Sequence, residues 1–110
     1  MNLATEVFND VIVVHAPGEL GFEQSEAFEK FIDSLERKCL VLDLDTTEAI
    51  DSKGLASLLD LHDRLRAAGG DIRISTTNPV NRKILEITRL DQQLEVFDSV
   101  VEAVKSFRVQ

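Results

Sequence analysis

The stretch Val41-Leu42-Asp43-Leu44-Asp45-Thr46-Thr47-Glu48-Ala49-Ile50-Asp51-Ser52-Lys53-Gly54-Leu55 runs from an apolar segment of strand length through a polar loop into Asp-Ser-Lys-Gly. An amphipathic helix is predicted to start there, with Leu55, Leu58, Leu59, His62 and Leu65 at helical spacing and Gly69-Gly70 as its stop. The same reading places Ser52 at the helix N-cap, between a carboxylate, an ammonium and a glycine.

Working outward, Leu3 to Phe8 and Val11 to Val14 are β-rich runs separated by Asn9-Asp10, which predicts an N-terminal hairpin. Ala16-Pro17-Gly18-Glu19-Leu20-Gly21 reads as a loop. Phe28, Phe31, Ile32 and Leu35 then recur at i, i+3, i+4 and i+7, the spacing of a helix face. Cys39 to Leu44 is a short buried strand, and Asp71 to Ser75 alternates with a period of two. Asn78-Pro79 is a cap followed by proline at the first helical position, opening a helix through Ile84, Leu85 and Ile87. Leu94 to Phe97 is a last strand, and Asp98 or Ser99 caps a terminal helix carrying Val101, Val104 and Phe107. The predicted order is β-β-α-β-α-β-α-β-α. Strands alternating with helices imply an α/β fold with a mostly parallel sheet and an antiparallel edge. No repeat or Pro/Ser-rich linker divides the chain, so one domain is expected over 1–110.

Twelve basic against twenty acidic residues leave a net charge of −8, and Trp and Tyr are absent. Both features disfavour nucleic acid, which is held by phosphate neutralisation and by stacking, and favour a basic protein partner. No apolar run approaches the ~20 residues of a membrane span, so no membrane insertion is expected. The N-terminal residues lack the pattern of a secretory signal, and a cytoplasmic protein is the expectation. Cys39 is the single cysteine and reads as a small buried hydrophobe.

Catalytic patterns are missing. His15 and His62 belong to no nucleophile or metal motif, and Ser52 lies outside the Gly-x-Ser-x-Gly elbow. Asp43, Asp45, Glu48 and Asp51 lack the central glycine and terminal glutamate of a calcium loop. No glycine-rich phosphate loop occurs. A receiver domain would need an acidic pair after an early strand, where this chain has His15-Ala16-Pro17-Gly18. A non-enzyme without cofactor or metal is therefore expected.

Two readings of Ser52 stand side by side. As a cap it accepts a backbone N–H bond, and its replacement by alanine costs about 0.5–2 kcal/mol. As a phospho-acceptor it would gain about −1.5 to −2 charges at a helix terminus whose free amides favour anions. In that reading Gly54 lets a partner's backbone come close.

The chain resembles the STAS family, the domain of anti-sigma factor antagonists (anti-anti-sigma factors). The resemblance is carried by Leu40-Val41-Leu42-Asp43-Leu44, Ile50-Asp51-Ser52-Lys53-Gly54-Leu55, Arg66-Ala67-Ala68-Gly69-Gly70-Asp71-Ile72 and Asn78-Pro79-Val80. Gly18-Glu19-Leu20, Ile84 to Leu90 and Val96 to Ala103 extend it over nearly the whole chain. It implies a partner-switching module. An anti-sigma factor with serine-kinase activity would phosphorylate Ser52, the unphosphorylated form would bind that factor and free a sigma factor, and a metal-dependent serine phosphatase would reset the switch. The implied docking residues are Gly18, Glu19, Leu20, Gly21, Ile50, Asp51, Ser52, Lys53, Gly54 and Leu55, with Ser57, Asp60 and Arg64 on the exposed side of the helix. The isolated domain would be a monomer. A phosphorylation-independent STAS adaptor, as in lipid transport, a sensory complex or nucleotide sensing, is the alternative. Three positions depart from the family's pattern: Gly21, where phosphorylated members often carry Asp; Lys53, where a small residue is common; and Arg89, where Gly is usual.

Overall fold

The computed structural model describes residues 1–107; the last three residues of the predicted 1–110 domain lie outside the described residues. The strands are β1 (Thr5–Phe8), β2 (Val11–His15), β3 (Glu19–Leu20), β4 (Cys39–Asp43), β5 (Ala49–Ile50), β6 (Asp71–Ser75) and β7 (Glu95–Phe97). The helices are α1 (Phe22–Ser34), α2 (Ser52–Ala67), α3 (Pro79–Ile87) and α4 (Val100–Ser106), with a 3-10 turn at Leu90–Gln92.

The main sheet has the order β1-β2-β4-β6-β7, antiparallel at the β1–β2 hairpin and parallel across every other pair. Its two faces follow from alternation along the strands. Ile12 and Val14 of β2, Leu40 and Leu42 of β4, and Ile72 and Ile74 of β6 meet Phe28 and Ile32 of α1, Leu58 and Leu61 of α2, and Leu85 of α3. Val11, Val13 and Val41 point the other way, where α4 covers them with Ala103 and Val104. Cys39 packs at the edge of this second cluster. Val101, expected on the packed side of the terminal helix, is 59% exposed, while Val100 joins the cluster beside Val104.

Three local expectations need correction. The Ala16–Gly21 segment contains β3, and the loop after β4 contains β5; the two pair in parallel as a separate two-stranded sheet. Residues Leu44 and Leu94, read as strand ends, are buried but lie just outside β4 and β7. The end of α3 holds the 3-10 turn, entered through Arg89 at φ 62°, ψ 18°. That is left-handed backbone, which a residue with a Cβ adopts at a cost and glycine adopts freely. Glycine at this position would adopt the same conformation without that cost.

On the α4 side of the sheet, His15 bridges two strands. Its Nδ1 lies 2.8 Å from Asp43 Oδ2 on β4, and its Nε2 lies 3.0 Å from Glu6 Oε1 on β1. The hydrogen bond to Glu6, then that to Asp43, raises the His15 pKa above its ordinary 6.5 against partial burial. An imidazolium preferred by the folded state contributes its full stabilisation below the unfolded pKa and loses it as pH rises through the folded pKa. Urea unfolding of wild type and His15→Gln should thus differ most below the ordinary histidine value of about 6.5 and converge as pH rises above it. A gap that widens with pH would contradict this account. Separately, Arg89→Gly should raise stability by about 0.5–1 kcal/mol by relieving the left-handed residue, measurable as a higher urea midpoint with an unchanged slope.

Candidate functional site

The start of α2 is organised by Asp51. Its backbone is extended, at φ −98° and ψ −176°, and its Oδ1 accepts the Gly54 N–H at 2.9 Å. Asp51 is therefore the N-cap, and Ser52 is the first helical residue. This corrects the reading of Ser52 as the cap. Both residue types cap well, and the choice between them follows from what else Asp51 reaches. Its Oδ2 accepts the N–H of Phe22, the first residue of α1, at 3.0 Å. One carboxylate thus serves two helix N-termini, where free amides favour negative charge. The hydrogen bonds from Gly54, then Phe22, hold the Asp51 carboxyl below its ordinary pKa.

Gly21 makes this arrangement possible. It precedes α1 and has no side chain with which to cap it; a Cβ there would stand 2.6 Å from Asp51 Oδ2. The Gly21 N–H is taken by Gln24 Oε1 at 3.1 Å. Gly54 meets a similar constraint from inside the protein. A Cβ on it would lie 2.0 Å from the Leu20 carbonyl oxygen, so the glycine admits β3 against α2. The expectation that Gly54 opens the surface to a partner's backbone is corrected: it is buried, and the backbone that approaches it is the chain's own.

The predicted docking residues divide by burial. Gly18, Glu19, Asp51, Ser52, Lys53, Asp60 and Arg64 are exposed at one end of the molecule and along α2. Leu20 and Ser57 are buried at 0% and 2% exposure, and Gly21 is buried as well. Ile50 and Leu55 are half-buried against the core. Ser57, expected on the exposed side of α2, instead faces α1, where its hydroxyl donates to Glu29 Oε2 at 3.0 Å. Arg64 reinforces the same helix pair by donating to Asp33 at 2.7 and 2.8 Å and to Glu29 at 3.0 Å. The Asp33 hydrogen bond raises its pKa further. These residues hold α1 against α2 along their length.

Ser52 is exposed on the first turn of α2, with Asp51 before it and Lys53 after it. In the groove between α1 and α2, Lys30 is paired with Glu26 at 3.1 Å and Arg64 with its carboxylates; among the described residues Lys53 has no such partner. The remaining acidic residues of the opening stretch are dispersed. Asp43 holds His15 and the Asp45 N–H, Asp45 accepts from the Thr77 N–H at 2.6 Å, and Glu48 lies exposed. Among the described residues there is no group of three potential metal ligands, and no helix is long and apolar enough to cross a membrane.

Phe22, absent from the predicted set, stands 76% exposed next to this site. Its signal in the sequence was its position off the stripe formed by Phe28, Phe31, Ile32 and Leu35.

An α/β domain with a serine on the first turn of a glycine-gated helix defines the class. The chain matches the STAS domain model over residues 2–103, and it belongs to that family. It is 27% identical over 115 aligned positions to the anti-sigma F factor antagonist of Paenibacillus polymyxa, covering 99% of this chain and 98% of that protein. The crystal structure of an anti-sigma factor antagonist from Mycobacterium paratuberculosis superposes with a TM-score of 0.85 at 24% identity, covering 97% of this chain and 93% of that one. The anti-sigma factor antagonist SpoIIAA in its unphosphorylated form gives a TM-score of 0.78 at 19% identity, over 97% of this chain and 96% of that one. Its phosphorylated form, from Bacillus, gives 0.70 at 20% identity, over 99% of this chain and 100% of that one.

Because Asp51 carries the cap, Asp51→Ala should lower the urea midpoint clearly, whereas Ser52→Ala should change stability by no more than about 0.5 kcal/mol. The Asp51 contribution is present above the ordinary carboxyl pKa and fades as pH falls through the lowered folded value. Equal midpoints for Asp51→Ala and wild type at pH 7 would refute the shared cap.

Proposed function

We propose that this chain is an anti-sigma factor antagonist. It binds a serine-kinase anti-sigma factor when unphosphorylated and is switched off by phosphorylation of Ser52, regulating transcription through a sigma factor. The observation that carries the reading is the placement of an exposed Ser52 hydroxyl beside the shared Asp51 cap, on the end of the molecule where α1 and α2 begin. Family membership and the relatives' names support it, as does the structural likeness to SpoIIAA, which has been solved in both phosphorylated and unphosphorylated forms.

The charge argument is local. Unphosphorylated, the start of α2 carries the Asp51 carboxylate, which accepts one amide from each of the two helices, with Lys53 two residues on. Phosphate on Ser52 adds about −1.5 to −2 charges next to that carboxylate. With the Gly54 and Phe22 amides already held by Asp51, the added charge stands on the exposed first turn of α2, where a docked partner would have to desolvate it. Lys53 offsets part of it. A metal-dependent serine phosphatase would restore the binding form. The protein acts as a binding module and not as an enzyme, works in the cytoplasm, and uses no cofactor.

The test is incubation of the purified chain with each serine-kinase anti-sigma factor of its source genome and ATP, followed by mass spectrometry. One factor should add a single phosphate to Ser52 and none to Ser52→Ala, and it should bind wild type but not Ser52→Asp. Phosphate transfer to Ser52→Ala would sink the site assignment. Stable partner binding indifferent to Ser52→Asp would favour the phosphorylation-independent adaptor.

A further inference from the structure

Phe22 is the most exposed large hydrophobic side chain among the described residues, at 76%, and nothing in the chain's own packing uses its ring. Its backbone is nevertheless fixed. The Phe22 N–H is held by Asp51 Oδ2, and Phe22 and Ser52 are the first residues of two helices that share one cap. The ring forms the ridge between two clefts, one of about 340 Å³ bordered by Glu19, Glu23 and Asp51, and one of about 650 Å³ along the α1–α2 groove that includes Lys53. A side chain that is exposed, aromatic and held on rigid backbone loses little freedom on binding, which is the profile of an interface anchor.

We propose that Phe22 is the anchor by which this chain docks onto its anti-sigma factor, its ring entering an apolar socket on that factor rimmed by Lys or Arg. The proposal rests on the functional reading above and names the chemistry of its partner. The basic rim follows from charge. Glu19, Glu23 and Asp51 surround the ring on one side, and the chain as a whole carries −8. The same charges disfavour a second copy of this chain as the occupant, because a symmetric contact would bring two acidic rims together. Other exposed apolar residues lack this combination: Ile87 and Val80 stand apart on α3, while Val7, Phe8 and Val101 have no comparable ring of charge indicating what covers them.

Calorimetric titration of the unphosphorylated chain against each purified anti-sigma factor of the source genome tests the proposal. Phe22→Ala should weaken binding by about tenfold or more, Phe22→Leu should recover part of the loss, and Glu23→Lys should weaken binding and flatten its salt dependence. Circular dichroism melts, close to wild type for a side chain this exposed, separate lost docking from lost folding. If Phe22→Ala binds within about twofold of wild type while Ser52→Asp does not bind, the anchor is refuted and the functional reading stands. If wild type binds none of the factors, both fall. A concentration-dependent dimer in sedimentation that Phe22→Ala abolishes would also overturn the proposal, in favour of self-association.

Discussion

The Asp51 carboxylate is the interaction on which the end of this molecule where α1 and α2 begin depends. Helices α1 and α2 pack side by side, yet that packing alone would not set the relative height of their N-termini. A single side chain accepting one amide from each start, Phe22 N–H and Gly54 N–H, does so. The arrangement is compact because two positions around it carry no side chain. Gly21 vacates the space the carboxylate fills, and Gly54 lets the Leu20 carbonyl lie against the first turn of α2. Neither glycine is needed here for a positive φ. Both are needed for space.

A second layer of contacts holds this end onto the sheet. Asn81 of α3, buried at 1%, donates to the Leu44 and Thr47 carbonyls at 2.9 Å each. Thr47 donates to the Pro17 carbonyl at 2.8 Å, and the Glu48 N–H to the Gly18 carbonyl at 2.7 Å. The loop after β4 is thereby tied both to α3 and to the segment before α1. A loop whose buried polar groups are paired in this way keeps one conformation, because breaking any pair strands a buried donor or acceptor. The pairing of β3 with β5 is the continuation of that tie toward Asp51.

Much of this was legible in the residues. The apolar runs of β2, β4 and β6, the helical stripes of α1 and α2, the Asn78-Pro79 start of α3 and the hairpin turn at Asn9-Asp10 each carry their own local signal. What escaped was decided by tertiary context. Two-residue strands such as β3 and β5 have no periodicity to read, since they exist only through backbone pairing with each other. The cap shifted by one residue because Asp51 and Ser52 are equivalent in local propensity, and only Asp51 is placed to reach a second helix. Ser57 looked exposed by helical spacing, but its side of α2 is covered by α1 and met by Glu29. The exposed ring of Phe22 followed the opposite logic: it sat outside the apolar stripe, in a chain whose other phenylalanines on α1 are packed inward.

The departures from the family's pattern then acquire physical content. Any side chain at position 21 would begin with a Cβ 2.6 Å from Asp51 Oδ2, so Asp51 or the backbone would have to shift, and a carboxylate there would add a like charge beside Asp51. With Gly21 the charge belongs to Asp51 alone, and Asp51 is free to turn toward α1. The acidic group beside Ser52 is Asp51 itself, and it serves as a structural tie between the two helix starts. Lys53 extends the same pattern, since a positive charge on the other side of Ser52 offsets the one that Asp51 brings. A phosphate on Ser52 would add about −1.5 to −2 charges beside the Asp51 carboxylate, in a chain whose net charge is already −8.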